Sequence, residues 1–159
     1  MRKDTRSKVR RAVRLLASAM GIKLEQSHSQ KGRWFEARCA KICRNLGYQV
    51  IDVSKKQERY DLLVNGHRVQ CKTRKKQPAK NGFGVLLAKS SERRYLVSEV
   101  DFFVISYMKT CYVIPAKEIS NKGGEINNWV LLSNKHHYIN AWGQLEGERI
   151  EYEQQKKLF

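Results

Sequence analysis

Residues 60–76 read YDLLVNGHRVQCKTRKK, and Asn65-Gly66 separates two short apolar runs within this stretch. An Asn-Gly pair in this setting predicts a β-hairpin with a two-residue turn, because both central residues of such a turn need a positive φ. Counting outward from the turn places Asp61 opposite Gln70. The stretch therefore predicts a hairpin that joins a carboxylate to an amide across two strands.

The predicted hairpin has two different faces, since side chains alternate along a strand. The apolar face, which we expect in the core, carries Tyr60, Leu62, Val64, Val69 and Cys71. The second face carries Asp61, Leu63, Arg68, Gln70 and Lys72. Opposite residues have Cβ atoms roughly 4.5–5.5 Å apart, so a carboxylate oxygen and an amide oxygen lie together beside a lysine. Both oxygens are ligands that Mg²⁺ accepts.

The order of these residues, D-(x)n-Q-x-K after a helix with a glutamate, resembles the PD-(D/E)xK nuclease superfamily. The residues that carry the resemblance are Glu36, Asp61, Gln70 and Lys72. Tyr60 stands in place of the proline, and Gln70 stands in place of the second acid, which removes one negative charge from the site. The Q-x-K form and the stretch DFFVISYMKTCYVIPAKEI at residues 101–119 resemble the group I intron homing endonucleases of this superfamily.

This resemblance implies an Mg²⁺-dependent DNA endonuclease in which Mn²⁺ can substitute. Its implied metal ligands are Asp61, the Gln70 side-chain oxygen, the Cys71 backbone carbonyl and Glu36, the last directly or through water. Lys72 would orient the attacking water and screen the phosphate, so the implied catalytic set is Glu36, Asp61, Gln70 and Lys72. Without the resemblance, Glu36 reads as a surface residue, Lys72 as a phosphate contact and Asp61 as a partner of Arg59 or Arg68.

The net charge points to the same class of partner. The 159-residue chain has a formal net charge of +17, which is far more than solubility requires and predicts a polyanionic partner such as DNA. The predicted DNA contacts are Arg6, Arg10, Arg14, Arg74, Lys75, Lys76, Lys80, Arg93 and Arg94. Cutting both strands in one encounter predicts a homo-oligomer, a dimer or a tetramer. Neither a membrane nor a small-molecule cofactor is expected.

The pattern along the chain predicts two parts, a basic N-terminal helix at residues 1–24 and a nuclease-like domain at residues 32–159. Residues 25–32 read as a polar linker, residues 32–46 as a helix that stops at Gly47, and residues 77–84 as a glycine-containing loop. A short helix is expected at residues 116–119. Strands are expected at residues 48–53, 60–64, 67–72, 85–87, 100–107, 111–114 and 129–132.

These elements predict an α/β fold with a restriction-endonuclease-like core, in which helices flank a mixed sheet of four or five strands. The four cysteines have no disulfide-scaffold spacing, and Arg14 interrupts the only signal-like apolar run, so we expect reduced thiols in an intracellular protein. A zinc site of Cys39 and Cys43 with His136 and His137 is disfavoured by its spacing.

Three alternatives follow from the same residues. A Holliday-junction resolvase would share the fold and the charge but would recognise the shape of a junction. A non-cleaving DNA-binding module would keep the fold if Gln70 had ended the chemistry. Asp52 and Glu58 are rival carboxylates, ranked below Asp61 because neither has an oxygen-bearing partner across the hairpin.

Overall fold

A computed structural model describes residues 28–53, 58–73, 77–80, 82–88, 93–107 and 110–147. The chain forms two compact units, residues 1–31 and residues 32–159, and the elements below belong to the second unit apart from the first turn of its helix. The basic helix predicted at residues 1–24, with Arg6, Arg10 and Arg14, lies outside the described residues. Arg74, Lys75 and Lys76 lie outside them as well.

The helix α1 spans His28–Asn45 and therefore begins earlier than predicted, within the stretch assigned to a polar linker. Phe35, Cys39 and Cys43 recur every four residues along its buried side. The helix ends as Gly47 predicts: this glycine has φ +84°, and the Tyr48 N–H donates to the Cys43 carbonyl at 3.1 Å. That bond belongs to a Schellman motif, which needs the positive φ of a glycine.

The central sheet has five strands in the order β1-β2-β3-β6-β7. Their bounds are β1 Val50–Asp52, β2 Leu62–Val64, β3 His67–Thr73, β6 Phe102–Tyr107 and β7 Thr110–Pro115. Strands β3 and β6 pair in parallel, and the other neighbours pair antiparallel. The mixed sheet that the sequence predicts is thus confirmed. After β7, the predicted short helix is a 3₁₀ turn at Ala116–Ile119.

The β2–β3 hairpin has the predicted turn and register. Asn65 has φ 48° and Gly66 has φ 81°, and Leu63 pairs with Arg68. The Asn65 side chain also ties the turn to its surroundings, because its Oδ1 accepts from the Gln49 N–H and its Nδ2 donates to the Leu145 carbonyl, both at 2.9 Å. These two bonds fix the end of the hairpin that lies away from Asp61.

The two faces of the sheet are covered by different structures. Helix α1 packs on one face, where its buried side meets Leu62, Val69 and Cys71. A second sheet packs on the other face, in the order β4-β5-β8, with bounds Gln77–Ala79, Gly82–Leu86 and Trp129–Leu131. Phe103 and Ile105 of the central strand β6 belong to this second core. Within the described ranges, the second face thus differs from the expectation of flanking helices.

The glycine-containing segment is not the loop that the sequence predicts. Residues 77–79 and 82–86 form the β4–β5 hairpin, in which Pro78 occupies the edge strand. Gly84 is needed there for close packing, since a Cβ at this position would lie 2.5 Å from a ring atom of Trp129. The prediction failed because glycine and proline are read as loop residues, whereas here they permit an edge strand and a close contact between strands.

Tyr60 also departs from the prediction. The alternation predicts it on the face of Leu62 and Val64, but Tyr60 packs against the second core, which contains Phe103, whereas Leu62 lies in the core under α1. The reason is that β2 begins at Leu62, so the alternation of the strand does not extend back to residue 60. Among the described helices, none is long and apolar enough to cross a membrane.

Candidate active site

The Asp61 carboxylate sits at the entrance to β2 and binds two groups of β3. Its Oδ2 accepts the Cys71 backbone N–H at 2.8 Å and also accepts a short hydrogen bond from Gln70 Nε2. The Asp61 N–H donates to the Val69 carbonyl at 3.0 Å, which continues the hairpin ladder by one bond. The structure therefore brings Asp61 and Gln70 together, as the register predicts.

The Gln70 amide faces the other proposed ligands through its nitrogen. Besides Asp61, its Nε2 donates to the Cys71 carbonyl at 3.2 Å. Gln70 is only 6% exposed, so this amide NH₂ is enclosed between a carboxylate oxygen and a carbonyl oxygen. A positively polarised group thus lies where two oxygen ligands converge, which is the position a cation would take.

Arg68 does not pair with Asp61, although the hairpin places both on one face. Its guanidinium binds both carboxylate oxygens of Asp101, at 3.0 Å from Nε and 2.8 Å from Nη2, and donates to the Ser98 carbonyl. The Asp101 side chain also accepts the Arg68 backbone N–H at 2.8 Å. This arrangement fastens β3 to the start of β6 and leaves Asp61 to its partners in the site.

Glu36, on α1, lies close enough to the Asp61 and Asp52 carboxylates for their charges to act on it. Burial raises the pKa of Glu36 above its ordinary value of 4.5, and the charges of Asp61 and Asp52 raise it further. Burial likewise raises the pKa of Asp61, while the Cys71 N–H and Lys72 partly oppose that shift. Burial and, to a smaller extent, the neighbouring carboxylates thus disfavour the charged forms of Glu36 and Asp61, which favours either protonation or a nearby cation.

Asp52 is closer to the site than sequence reasoning allowed. It pairs with Leu62 in the β1–β2 register, next to Asp61, and its charge raises the pKa of both Asp61 and Glu36. The β2–β3 hairpin alone does not predict this position. The outer strand β1 brings the third carboxylate alongside, and that follows only from the order of the strands in the sheet.

We expect Glu36→Gln to raise the melting temperature of the metal-free protein at about pH 7. Because the pKa of Glu36 is raised in the folded state, its stabilising contribution is complete below the ordinary value and is lost as the pH rises through the folded pKa. Thermal melts at several pH values, with EDTA present, would measure the difference. The gain should fade as the pH drops below the ordinary pKa of 4.5, where the wild-type side chain becomes protonated in both states.

The exposed Glu58 supplies the matched control, because it is a glutamate outside the proposed site. Glu58→Gln should leave the melting temperature nearly unchanged over the same range. An equal or larger rise with Glu58→Gln, or a Glu36→Gln gain that grows at acid pH, would contradict the expectation.

Lys72 lies two residues after Gln70 on β3 and reaches a residue that sequence reasoning did not identify. Its Nζ donates to the Tyr95 hydroxyl at 2.6 Å and lies 4.9 Å from the centre of that ring. Arg59 contacts the same ring, with its guanidinium carbon 4.4 Å from the centre. Tyr95 has no motif around it; it lies between β5 and β6, and its ring packs on Phe103 of β6, the strand that pairs with β3.

Three of the predicted DNA contacts are described, and all three are exposed. Lys80 lies in the turn between β4 and β5. Arg93 forms an ion pair with Glu99, and Arg94 forms one with Glu125 at 3.3 Å. The Arg94–Glu125 pair is exposed on both sides and contributes little stability, so the Arg94 guanidinium could bind a phosphate at low cost, whereas Glu99 in the Arg93 pair is only 18% exposed.

Metal-binding clusters of the usual kind are absent from the part of the chain that is described: no three or more His, Cys, Asp or Glu side chains come close enough to hold an ion. The proposed magnesium ligands include an amide and a carbonyl, which lie outside that definition. The four cysteines are reduced and buried, whereas His136 and His137 are exposed. Among the described residues, Cys39 and Cys43 are thus not brought together with His136 and His137.

The arrangement of strands and site can be compared with solved structures. The chain is similar to a bacterial homing endonuclease, I-Ssp6803I. The two share 20% sequence identity, and the match covers 76% of this chain and 92% of that chain with a TM-score of 0.54. At this identity, the similarity establishes the fold. No protein-family model matches the sequence, and no curated protein matches it significantly.

The similarity to I-Ssp6803I confirms the fold class that the sequence predicts, a mixed α/β structure with an endonuclease-like core. The match covers nearly the whole of the homing endonuclease, so it extends beyond a shared hairpin to most of the domain. Membership of the PD-(D/E)xK superfamily, and of its homing branch, stays a prediction that depends on Glu36, Asp61, Gln70 and Lys72.

Proposed function

We propose that this protein is an Mg²⁺-dependent DNA endonuclease of the homing or restriction-like type. The observation that carries the proposal is that the Asp61 carboxylate and the Cys71 carbonyl both accept from one atom, Gln70 Nε2, close enough to Lys72 for its charge to act on Asp61. The endonuclease-like fold and the net charge of +17 support DNA as the substrate. The assembly that cuts both strands would be a homo-oligomer, which sedimentation on DNA would test.

The donor set fits a hard divalent cation. Asp61, the Gln70 side-chain oxygen and the Cys71 carbonyl would hold Mg²⁺, with Glu36 as a direct or water-mediated ligand, and Mn²⁺ would substitute. A bound ion would supply charge neutralisation at the phosphate and acidify a water. Lys72 would hold the attacking water or a phosphate oxygen through its ammonium protons.

Gln70 affects how tightly the proposed site would bind Mg²⁺ in the absence of DNA. Its NH₂ faces Asp61 and the Cys71 carbonyl, so the amide must rotate to offer its oxygen to a cation. Rotation breaks two hydrogen bonds, and the neutral amide adds no charge in return. We therefore propose that Mg²⁺ binds weakly without DNA and more tightly once a phosphate arrives.

Gln70→Glu should strengthen Mg²⁺ binding in the absence of DNA by about tenfold or more, since it adds a charge beside Asp61 and removes the two competing donors. Titration calorimetry of wild type and variant would measure this. The matched control is Gln30→Glu, the same substitution near the start of α1, at a residue that is not a proposed ligand. Micromolar or tighter binding by the wild type without DNA would contradict the expectation.

The experiment that tests the function is a cleavage assay with Mg²⁺, with Mn²⁺ and with EDTA on three DNA substrates. These are linear duplex, supercoiled plasmid and a synthetic four-way junction. Metal-dependent cutting of duplex at few sites would support the proposal, whereas symmetrical nicking restricted to the junction would make the protein a resolvase. Binding without cutting of any substrate, in either metal, would favour a non-cleaving DNA-binding module.

A further inference from the structure

A single tyrosine holds the end of the proposed catalytic lysine. The Lys72 ammonium group donates to the Tyr95 hydroxyl at 2.6 Å, across 23 residues of sequence. We propose that Tyr95 is a positioning residue, which fixes the Lys72 ammonium at the reaction site before DNA binds. This inference rests on the proposed endonuclease function.

Tyr95 can serve as a fixed point because its own position is determined on several sides. Its ring meets Phe103 of β6 edge to face, with the ring centres 5.3 Å apart at an angle of 86°. Its backbone carbonyl accepts the Ile126 N–H at 2.8 Å. The hydroxyl is therefore held by the sheet behind it and not by the lysine alone.

Arg59 fastens the segment that carries Tyr95 from the other side. Its guanidinium lies against the tyrosine ring, and its Nη2 donates to the carbonyls of Arg93 and Arg94 at 2.9 and 3.1 Å. The Arg59 Nε lies 3.7 Å from Glu99, which also pairs with Arg93. The residues just before Tyr95 are thus bound through their backbone to the segment that leads into Asp61.

The hydrogen bond to Tyr95 orients the Lys72 side chain and leaves ammonium protons available for other acceptors. A lysine side chain has large rotamer entropy, and an ammonium group that is already held loses less of it when the substrate arrives. An ammonium group has three protons, of which the Tyr95 bond occupies one. Two protons remain for a water molecule or a phosphate oxygen, which is what the proposed role of Lys72 requires.

The test removes the hydroxyl and keeps the ring. Tyr95→Phe preserves the packing on Phe103 and beneath Arg59, so the melting temperature and DNA affinity measured in Ca²⁺ should stay close to wild type. The single-turnover cleavage rate should fall about tenfold, the size expected for a lost hydrogen bond to a charged group. Tyr48→Phe, a hydroxyl removed at the end of α1, should leave the rate unchanged.

A double mutant decides whether Tyr95 acts through Lys72. If it does, Lys72→Ala with Tyr95→Phe should cut DNA at the same rate as Lys72→Ala alone. Multiplied losses would overturn the inference, because they would mean that the tyrosine acts on the substrate independently. A Tyr95→Phe rate equal to wild type, or a lower rate accompanied by an equal loss of DNA affinity and a lower melting temperature, would also overturn it.

A measurement that needs no activity separates this inference from the proposed function. Reductive methylation of the intact protein, followed by mass spectrometry, reports how readily each lysine reacts. Lys72 should react faster in Tyr95→Phe than in wild type, while the exposed Lys117 should react equally in both. If the wild type cuts no DNA, the proposed function fails. Equal labelling of Lys72 in wild type and Tyr95→Phe would overturn the Tyr95 inference, whatever the cleavage result.

Discussion

Lys72→Ala is expected to lower the Mg²⁺-dependent cleavage rate by about 10²–10³-fold, which is typical of losing one group that stabilises developing charge at a reacting centre. Lys72 lies on β3, two residues beyond Gln70, and its positive charge lowers the pKa of both the Asp61 and the Glu36 carboxyl groups. DNA affinity should fall only slightly, because one positive charge in a strongly basic protein is removed. Single-turnover rates and salt-dependent binding would measure the two effects.

Lys117→Ala is the matched control, since Lys117 is an exposed lysine in the 3₁₀ turn after β7. This variant should cut at the wild-type rate. Lys72→Arg keeps a positive charge but cannot reproduce a point-like ammonium, so we expect it to recover little activity. Full activity of Lys72→Ala would rule out the proposed role of this lysine.

Asp61→Asn is expected to reduce cleavage by about 10³-fold, since a bound ion supplies several kcal/mol of stabilisation and each ~1.4 kcal/mol is a factor of ten in rate. The asparagine keeps an oxygen for the Cys71 N–H, so the fold should persist. Because burial raises the pKa of Asp61, removing its charge also removes the cost of desolvating this carboxylate in the folded state at neutral pH. Cleavage assays and thermal melts would measure both.

Asp61→Ala distinguishes the loss of charge from the loss of the hydrogen-bond acceptor. It leaves the Cys71 N–H and the Gln70 amide without the Oδ2 acceptor, which should cost about 1–3 kcal/mol of folding stability. Asn and Ala variants that are equally inactive but unequally stable would fit the proposed site. Mg²⁺-dependent cutting by Asp61→Asn at near the wild-type rate would remove Asp61 from the metal site.

The central hairpin could be predicted because its cause is local. Asn65-Gly66 needs positive φ at two neighbouring positions, and the alternation of apolar residues then sets the register without help from the rest of the chain. The adjacency of Asp61 and Gln70 follows from the same count. The end of α1 could be predicted for the same reason, since Gly47 supplies the positive φ that the motif requires.

What failed depends on contacts between distant segments. The local sequence predicts a loop at Gly84. The structural role of this glycine is to let Trp129 approach, and nothing in the sequence near Gly84 indicates a partner 45 residues later. Tyr95 could not be linked to Lys72 before the parallel pairing of β3 with β6 was known. The direction of the Gln70 amide depends on hydrogen-bond partners, which spacing does not reveal.

The parallel pairing of β3 with β6 also has a consequence for when the proposed site can form during synthesis. In this pairing Gln70 lies beside Phe103 and Lys72 beside Ile105, and a parallel neighbour must await a long crossover connection. A ribosome-bound chain that ends before Phe102 already contains Glu36, Asp61, Gln70, Lys72 and Tyr95. It lacks the strand against which Lys72 and Tyr95 are aligned, and closing the long connection between β3 and β6 costs more conformational entropy than closing the two-residue turn. We therefore expect the nascent chain to form the proposed site only after β6 has emerged, even if the β2–β3 hairpin folds earlier.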